Sequence, residues 1–373
     1  MRIDHIHFFV TDAEITQNWF QQTLGFYPIA QGRNHHVQTY VLAHGDIRFV
    51  ISSPLTRANP VADFLKCHPA GVVDLAFQVD EPEDLIQMMD QLEGSGRIVT
   101  SLQTEWLLHG TVQWLQITGW GNLLRHTLIY RSGDTSPLPV MPDFPLVVPC
   151  PGGNPASTPL LVGIDHVVIN VPDGELVPCS QWYSQFLGFQ PRQLFTIQTN
   201  YSGLRSQVLV HPEGSVQLPI NEPTSTNSQI QEFLDPNGGA GVQHIALQTP
   251  DIIGAIAQFR HHGLTFLDVP PTYYELQQSQ NFPLTTEQWE AISSLHILVD
   301  QQEQTIPALL MQAFTKPIFE QPTFFLELIQ RQRYVLQGKL LEVQGFGEGN
   351  FRALFTAMEQ QQINQKNHHK PLG

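Results

Sequence analysis

The chain is built twice from one pattern. Residues 1–10 (MRIDHIHFFV) and 162–171 (VGIDHVVINV) both read as strands, and each sets a histidine directly after Ile-Asp. NWFQQTLGF (Asn18 to Phe26) is answered by QWYSQFLGF (Gln181 to Phe189), and GVVDLAFQV (Gly71 to Val79) by GVQHIALQT (Gly241 to Thr249). LLRHTLIYR (Leu123 to Arg131) is answered by FFLELIQR (Phe324 to Arg331). A period well over a hundred residues is too long for a solenoid unit, so the chain reads as two copies of one domain. Residues 133–160 between them are dense in Pro, Gly and Ser, the composition of an extended linker.

Within each copy the order is strand, helix, several strands, then strand, helix and more strands. That order predicts an α+β architecture with mostly antiparallel pairing. In the first copy Ile15, Trp19, Phe20 and Leu24 fall at helical spacing, with Thr11 or Asp12 placed to cap the helix and Gly25 to stop it. Leu85, Met88, Met89 and Leu92 form the apolar face of a second helix; Ile252, Ile253, Ile256 and Phe259 form its counterpart. The expected division is 1–132, linker 133–160, 161–362, and a disordered polar tail at 363–373. Phe351, Leu354, Phe355 and Met358 predict a helix over 351–362.

The formal net charge of −16 argues against nucleic acid or an anionic membrane as partner. Three cysteines (Cys67, Cys150, Cys179) without a CxxC argue against a disulfide framework and for a reducing compartment. No signal peptide or long apolar segment is evident, so a cytoplasmic protein is expected.

One carboxylate stands out. Thr323 to Arg331 is a short apolar strand with Glu327 in its middle, on the same face as Phe325 and Ile329. Burying an unpaired carboxylate costs several kcal/mol or neutralises it, so something must compensate: a buried Arg or Lys, solvent at the strand end, or a metal. Laying the halves over one another isolates three positions. The second half has His166, His244 and Glu327 where the first has His5, Asp74 and Thr127. Two imidazoles and one carboxylate are the facial triad favoured by non-haem Fe(II); zinc or manganese would also accept the set.

Seven collinear motifs make a family resemblance specific. LPINEP (Leu218 to Pro223), SQIQEFL (Ser228 to Leu234), GGAGVQHIAL (Gly238 to Leu247), PPTYYEL (Pro270 to Leu276), LLMQAFTKP (Leu309 to Pro317), FFLELIQR and GFGEGNF (Gly345 to Phe351) run in one order along the chain. Together they resemble the 4-hydroxyphenylpyruvate dioxygenases of the vicinal oxygen chelate superfamily, over roughly residues 1–362. The resemblance implies two tandem domains, each of paired βαβββ modules forming an open β-barrel with helices packed around it, plus a C-terminal helix. It implies Fe(II) on His166, His244 and Glu327, and conversion of 4-hydroxyphenylpyruvate and O2 to homogentisate and CO2. The first half, without the ligand set and with its hydrophobic helices, offers a surface for self-association, so a homo-oligomer, dimer or tetramer, is expected.

By the same resemblance Ser206, Asn221, Gln229 and Gln243 bind substrate or order the site, and Pro219, Gln312, Phe314, Phe325, Phe346 and Phe351 line the pocket. On a regular strand Gln243 would point away from its neighbour His244 and act from behind it. Gln229 could equally be a solvated residue at a helix start, and Phe325 plain core. The Gly-rich turn between Phe346 and Phe351 suggests a lid over the metal. Hydroxymandelate synthase resembles the sequence too, but differs in the Pro-Ile-Asn segment and the pocket Phe, whereas Pro219, Asn221 and Phe314 keep the dioxygenase pattern. Extradiol catechol dioxygenases share the ligand set without these motifs. A non-catalytic binding module is the reading from another class. Two departures stand out: Arg205, where a smaller polar residue is expected, and the idiosyncratic segment 331–344.

Overall fold

The computed structural model describes residues 1–107, 110–122, 124–133, 147–150, 159–198, 202–212, 216–280, 282–301 and 308–353. The first half runs β1 (Arg2–Phe9), α1 (Ala13–Leu24), β2 (Tyr27–Arg33), β3 (Val37–His44), β4 (Ile47–Pro54), α2 (Pro60–Leu65), β5 (Gly71–Gln78), α3 (Pro82–Leu92), β6 (Ile98–Leu107), β7 (Gly110–Thr118), β8 (Arg125–Gly133) and β9 (Val148–Pro149). The second runs β10 (Gly163–Asn170), α4 (Leu176–Leu187), β11 (Gln190–Gln198), β12 (Gly203–Val210), β13 (Gln217–Pro223), α5 (Gln229–Asn237), β14 (Gly241–Gln248), α6 (Ile252–His261), α7 (Pro271–Gln278), α8 (Thr286–Ser294), β15 (Leu298–Asp300), β16 (Leu310–Phe314) and β17 (Phe325–Arg331). A separate hairpin of β18 (Arg333–Leu336) and β19 (Lys339–Glu342) follows.

Each half is one open sheet. The first has the order β6-β7-β8-β5-β1-β4-β3-β2-β9 and the second β11-β12-β13-β10-β14-β17-β16-β15. In both, the seam is the antiparallel pairing of the first strands of two βαβββ modules: β1 with β5, β10 with β14. Each seam strand also pairs in parallel with its own module's last strand, β4, β8, β13 or β17. The architecture is therefore α+β, and the repeat seen in the sequence is a repeat of modules.

Local signals place the elements. Asp12 accepts from the backbone N–H of Glu14 and Ile15 at the start of α1, and Gly25 ends it at φ 70°, where a side chain would be strained. One apolar core joins the halves. Phe8 meets Phe324 edge-on at 5.4 Å between centroids, and Phe77 meets Phe189 at 6.0 Å. His126 Nε2 and the Tyr183 hydroxyl lie 2.9 Å apart, also across the junction. Each such fully buried aromatic contributes about 1.5–3 kcal/mol by leaving water.

Most of the expected linker lies outside the described residues, but its Val148–Pro149 portion adds a strand to the edge of the first sheet by pairing with β2. Helical backbone begins at Glu348, earlier than the predicted 351, and is described to Ala353. The rest of the predicted C-terminal helix and the tail at 363–373 lie outside the described residues. Among the described residues no helix is long and apolar enough to cross a membrane.

Candidate metal centre

His166 on β10, His244 on β14 and Glu327 on β17 come together at the centre of the second sheet. Their ligand atoms all lie within 4.8 Å of one another, and all three side chains are buried. Glu327 Oε2 stands 3.3 Å from His166 Nε2 and 3.4 Å from His244 Nε2. Ligands bound at about 2.1 Å in cis positions stand roughly 3 Å apart, so the set fits one ion without large movement. Among the described residues no other group of this kind occurs.

Two β-bulges aim the histidines. Ile164 and His166 pair with the consecutive residues Leu247 and Ala246, which leaves Asp165 as an extra residue in β10. Val168 and Ile169 pair with His244 and Val242, which leaves Gln243 extra in β14. A bulge breaks the alternation of faces, so a residue next to the ligand can stay beside it. Asp165 Oδ1 then accepts from His166 Nδ1 at 2.8 Å, and Gln243 Oε1 from His244 Nδ1 at 3.3 Å. With Nδ1 donating, Nε2 of each ring faces the centre and offers a lone pair whenever the ring is neutral.

Behind Asp165 sits Arg331. It donates from Nε to Oδ2 at 2.6 Å and from Nη2 to Oδ1 at 2.7 Å, and from Nη1 to the carbonyls of Val343 and Gly345. Burial opposes ionisation of Asp165, but Arg331 and His166 outweigh it and hold the carboxyl well below the usual range. Burial also disfavours the His166 imidazolium; Glu327 and Asp165 overturn that and push its pKa up to about 9. His244 goes the other way: burial lowers it, and the shared Glu327 does not make up the difference. In the metal-free centre a proton is therefore favoured on His166 over His244.

That proton makes metal uptake pH-dependent. His166 is protonated below about pH 9, and a metal must displace the proton. Apparent affinity of the apo-protein for Co(II) is expected to rise roughly tenfold per pH unit between about 6 and 8. Titration against a competing chelator with known pH dependence measures it; an affinity flat across that range contradicts the assignment.

The centre opens on a cavity of about 320 Å³. Its walls include Ser206, Pro219, Asn221, Gln229, Gln243, Phe314, Phe325, Phe346 and Phe351. Phe325 stacks on the His244 ring at 4.7 Å, and Phe346 meets the His166 ring edge-on at 5.2 Å. Gln243 supports His244 from behind through Nδ1, as expected, and because of the bulge it also lines the cavity. Gln229 is exposed as the first residue of α5, at the rim. Gln312 is not among the lining side chains; it is fully buried and donates to Glu327 Oε1 at 2.9 Å. Arg205 serves the fold: it pairs with buried Glu222, whose other oxygen accepts from the N–H groups of Gly174 and Leu176 at the start of α4.

Comparison with known proteins agrees with this geometry. Residues 2–118 and 163–282 match the model of the glyoxalase/bleomycin resistance protein/dioxygenase superfamily. The chain is 36% identical to 4-hydroxyphenylpyruvate dioxygenase of Caenorhabditis briggsae, with 98% of this chain and 92% of the relative covered. It is 35% identical to the Sus scrofa enzyme of the same name, with 97% and 92% covered. The chain belongs to the 4-hydroxyphenylpyruvate dioxygenase family. A solved mutant of 4-hydroxymandelate synthase from Streptomyces coelicolor superposes with a TM-score of 0.81 at 24% identity, covering 97% of this chain and 98% of that one, which shows the shared fold.

Within this dioxygenase-family chain, the first half shows what the same scaffold does without the ligand set. Asp74 stands in register where His244 stands, and accepts from the Thr127 N–H at 3.0 Å, from the Thr127 hydroxyl and from Gln116 Nε2 at 3.0 Å. Both of its carboxyl oxygens are engaged by these hydrogen bonds. Comparing the two halves of the sequence missed the Arg331–Asp165 support. The signal was present: both copies read Ile-Asp-His at the start and carry an Arg at the matching place near the end of β8 and β17, and Arg131 does pair with Asp4 at 3.1 Å.

Proposed function

We propose that the protein is an Fe(II)-dependent dioxygenase converting 4-hydroxyphenylpyruvate and O2 to homogentisate and CO2, by oxidative decarboxylation, ring hydroxylation and side-chain migration. The observation that carries the reading is a buried His-His-Glu set opening onto an aromatic-walled cavity of ligand size. The relatives that bear this activity in their names are 32–36% identical over nearly the whole chain, which supports the same substrate here. Bound Fe(II) would supply an open coordination face for a 2-oxo acid and O2, together with the redox chemistry.

The chain's own residues do the rest. Glu327 is held ionised: burial opposes it, but the two histidines bring its pKa down to about 2. One carboxylate and two neutral imidazoles leave a divalent ion with net positive charge, which favours an anionic substrate despite the acidic chain. Phe314, Phe325, Phe346 and Phe351 orient the aromatic ring and exclude water. Ser206 and Asn221 stand directly opposite one another on β12 and β13. The Ser206 hydroxyl is buried with no hydrogen-bond partner among the described residues, so it is free for a polar group of the substrate.

The purified protein with Fe(II), ascorbate, oxygen and 4-hydroxyphenylpyruvate is expected to yield homogentisate. Recovery of 4-hydroxymandelate instead would reassign the reaction to benzylic hydroxylation at the same site. Neither product, with iron bound, would sink the proposal.

A further inference from the structure

The motif PPTYYEL puts two adjacent tyrosines on α7, and both are buried. Their hydroxyls differ. Tyr274 has no hydrogen-bond partner for its hydroxyl among the described residues. The Tyr273 hydroxyl accepts from the Val299 N–H at 2.8 Å and donates to Asn350 Oδ1 at 2.8 Å, with the Val299 carbonyl a longer alternative acceptor at 3.2 Å. Asn350 Nδ2 donates in turn to Gln312 Oε1 at 2.8 Å, and Gln312 Nε2 donates to Glu327 Oε1 at 2.9 Å. Tyr273, Asn350 and Gln312 are all fully buried.

The direction of this chain is fixed from the metal end. An ionised carboxylate only accepts, so the Gln312 amide must turn its nitrogen to Glu327. Its oxygen then faces Asn350, which must turn its own nitrogen to meet it. The Asn350 oxygen is left needing a donor, and a tyrosine hydroxyl that already accepts from Val299 can supply one. Asn350 Oδ1, at 2.8 Å, is a closer acceptor for that hydroxyl than the Val299 carbonyl at 3.2 Å, so the groups share one consistent set of orientations and the carboxylate is held by Oε1. That leaves Oε2, the oxygen nearest both His166 and His244 Nε2, as the ligand atom.

We propose that Tyr273 is a positioning residue of the metal centre, acting through Asn350 and Gln312 to hold Glu327 as a one-oxygen ligand. The relay also ties down the turn that carries the Phe346 and Phe351 walls. Gln312 Nε2 lies 3.3 Å from the Phe346 carbonyl, and a Cβ at Gly347, where φ is +69°, would collide with the Gln312 amide. The inference rests on the metal reading of His166, His244 and Glu327.

The test is Tyr273→Phe beside Tyr274→Phe. Both remove one buried hydroxyl from the same helix; only the first breaks the relay. Supporting partners of metal ligands change affinity by roughly 10–100-fold when lost. Tyr273→Phe is therefore expected to weaken Co(II) binding at least tenfold and to shift the visible Co(II) bands as Glu327 gains freedom. Tyr274→Phe is expected to leave affinity and spectrum unchanged. If the two variants behave alike, both unchanged or both impaired, the relay is refuted. Should Tyr273→Phe fail to fold, Asn350→Asp replaces the donor to Gln312 with an acceptor at equal size and is read by the same criteria. A wild-type chain that takes up no Co(II) overturns the metal centre and the relay with it, whereas Co(II) uptake abolished by Glu327→Ala establishes the centre independently.

Discussion

Glu327→Ala is expected to remove iron-dependent turnover, by about a thousandfold or more, while leaving a folded protein. Without the carboxylate only two imidazoles face the ion, and the charge that attracts a divalent cation into a buried site is gone. Stability should change far less. The variant leaves the Gln312 amide nitrogen with the Phe346 carbonyl, 3.3 Å away, in place of the carboxylate. A weakly satisfied buried donor costs about 1–3 kcal/mol. Against that, a buried charge is removed and His166 loses the neighbour that kept it protonated. Chemical unfolding of the apo-proteins, Co(II) titration and turnover measured on one preparation separate these effects. Full activity in this variant would show that Glu327 is not a ligand. Loss of the fold would show that the carboxylate is structural.

Much of the centre could be read from one chain because the chain supplied its own comparison. Glu327 alone was an awkward buried carboxylate with several explanations. Its partner position holds Thr127, and the register of the two sheets bears out that alignment: Gln116 pairs with Thr127 as Phe314 pairs with Glu327. What the halves share was harder to see as functional, since comparison highlights differences. Asp165 and Arg331 recur as Asp4 and Arg131, so they passed as part of the repeat. Bulges were also invisible. Period-two alternation put Gln243 on the wrong face of β14, and only the register shows the extra residue. Gln312 shares the cavity-facing side of its strand with Phe314, but Glu327 holds it back as a hydrogen-bond donor.

That shared Arg–Asp–His unit makes the sharpest test of how structure and chemistry divide. Arg331→Leu and Arg131→Leu each strand a buried aspartate, Asp165 or Asp4, whose side chains are only 5% and 7% exposed. Removing one partner of a buried pair costs about 3–5 kcal/mol, so both variants should unfold at clearly lower denaturant concentration. The loss should shrink in acid. Burial raises the Asp4 pKa, but His5 and Arg131 bring it down to about 2. That pairing stabilises the fold above the ordinary carboxyl pKa near 4 and is lost as pH falls toward 2. Metal binding should part the two variants. Asp165 orients His166, one of the three candidate ligands; Asp4 orients His5, whose Nε2 faces no such set among the described residues. Arg331→Leu is expected to weaken Co(II) affinity about 10–100-fold, while Arg131→Leu leaves it within about twofold of wild type. Equal losses of affinity would mean that the pair acts on the metal only through global stability. Wild-type stability in both variants with unequal affinity would mean that the buried pairs are not what holds either sheet.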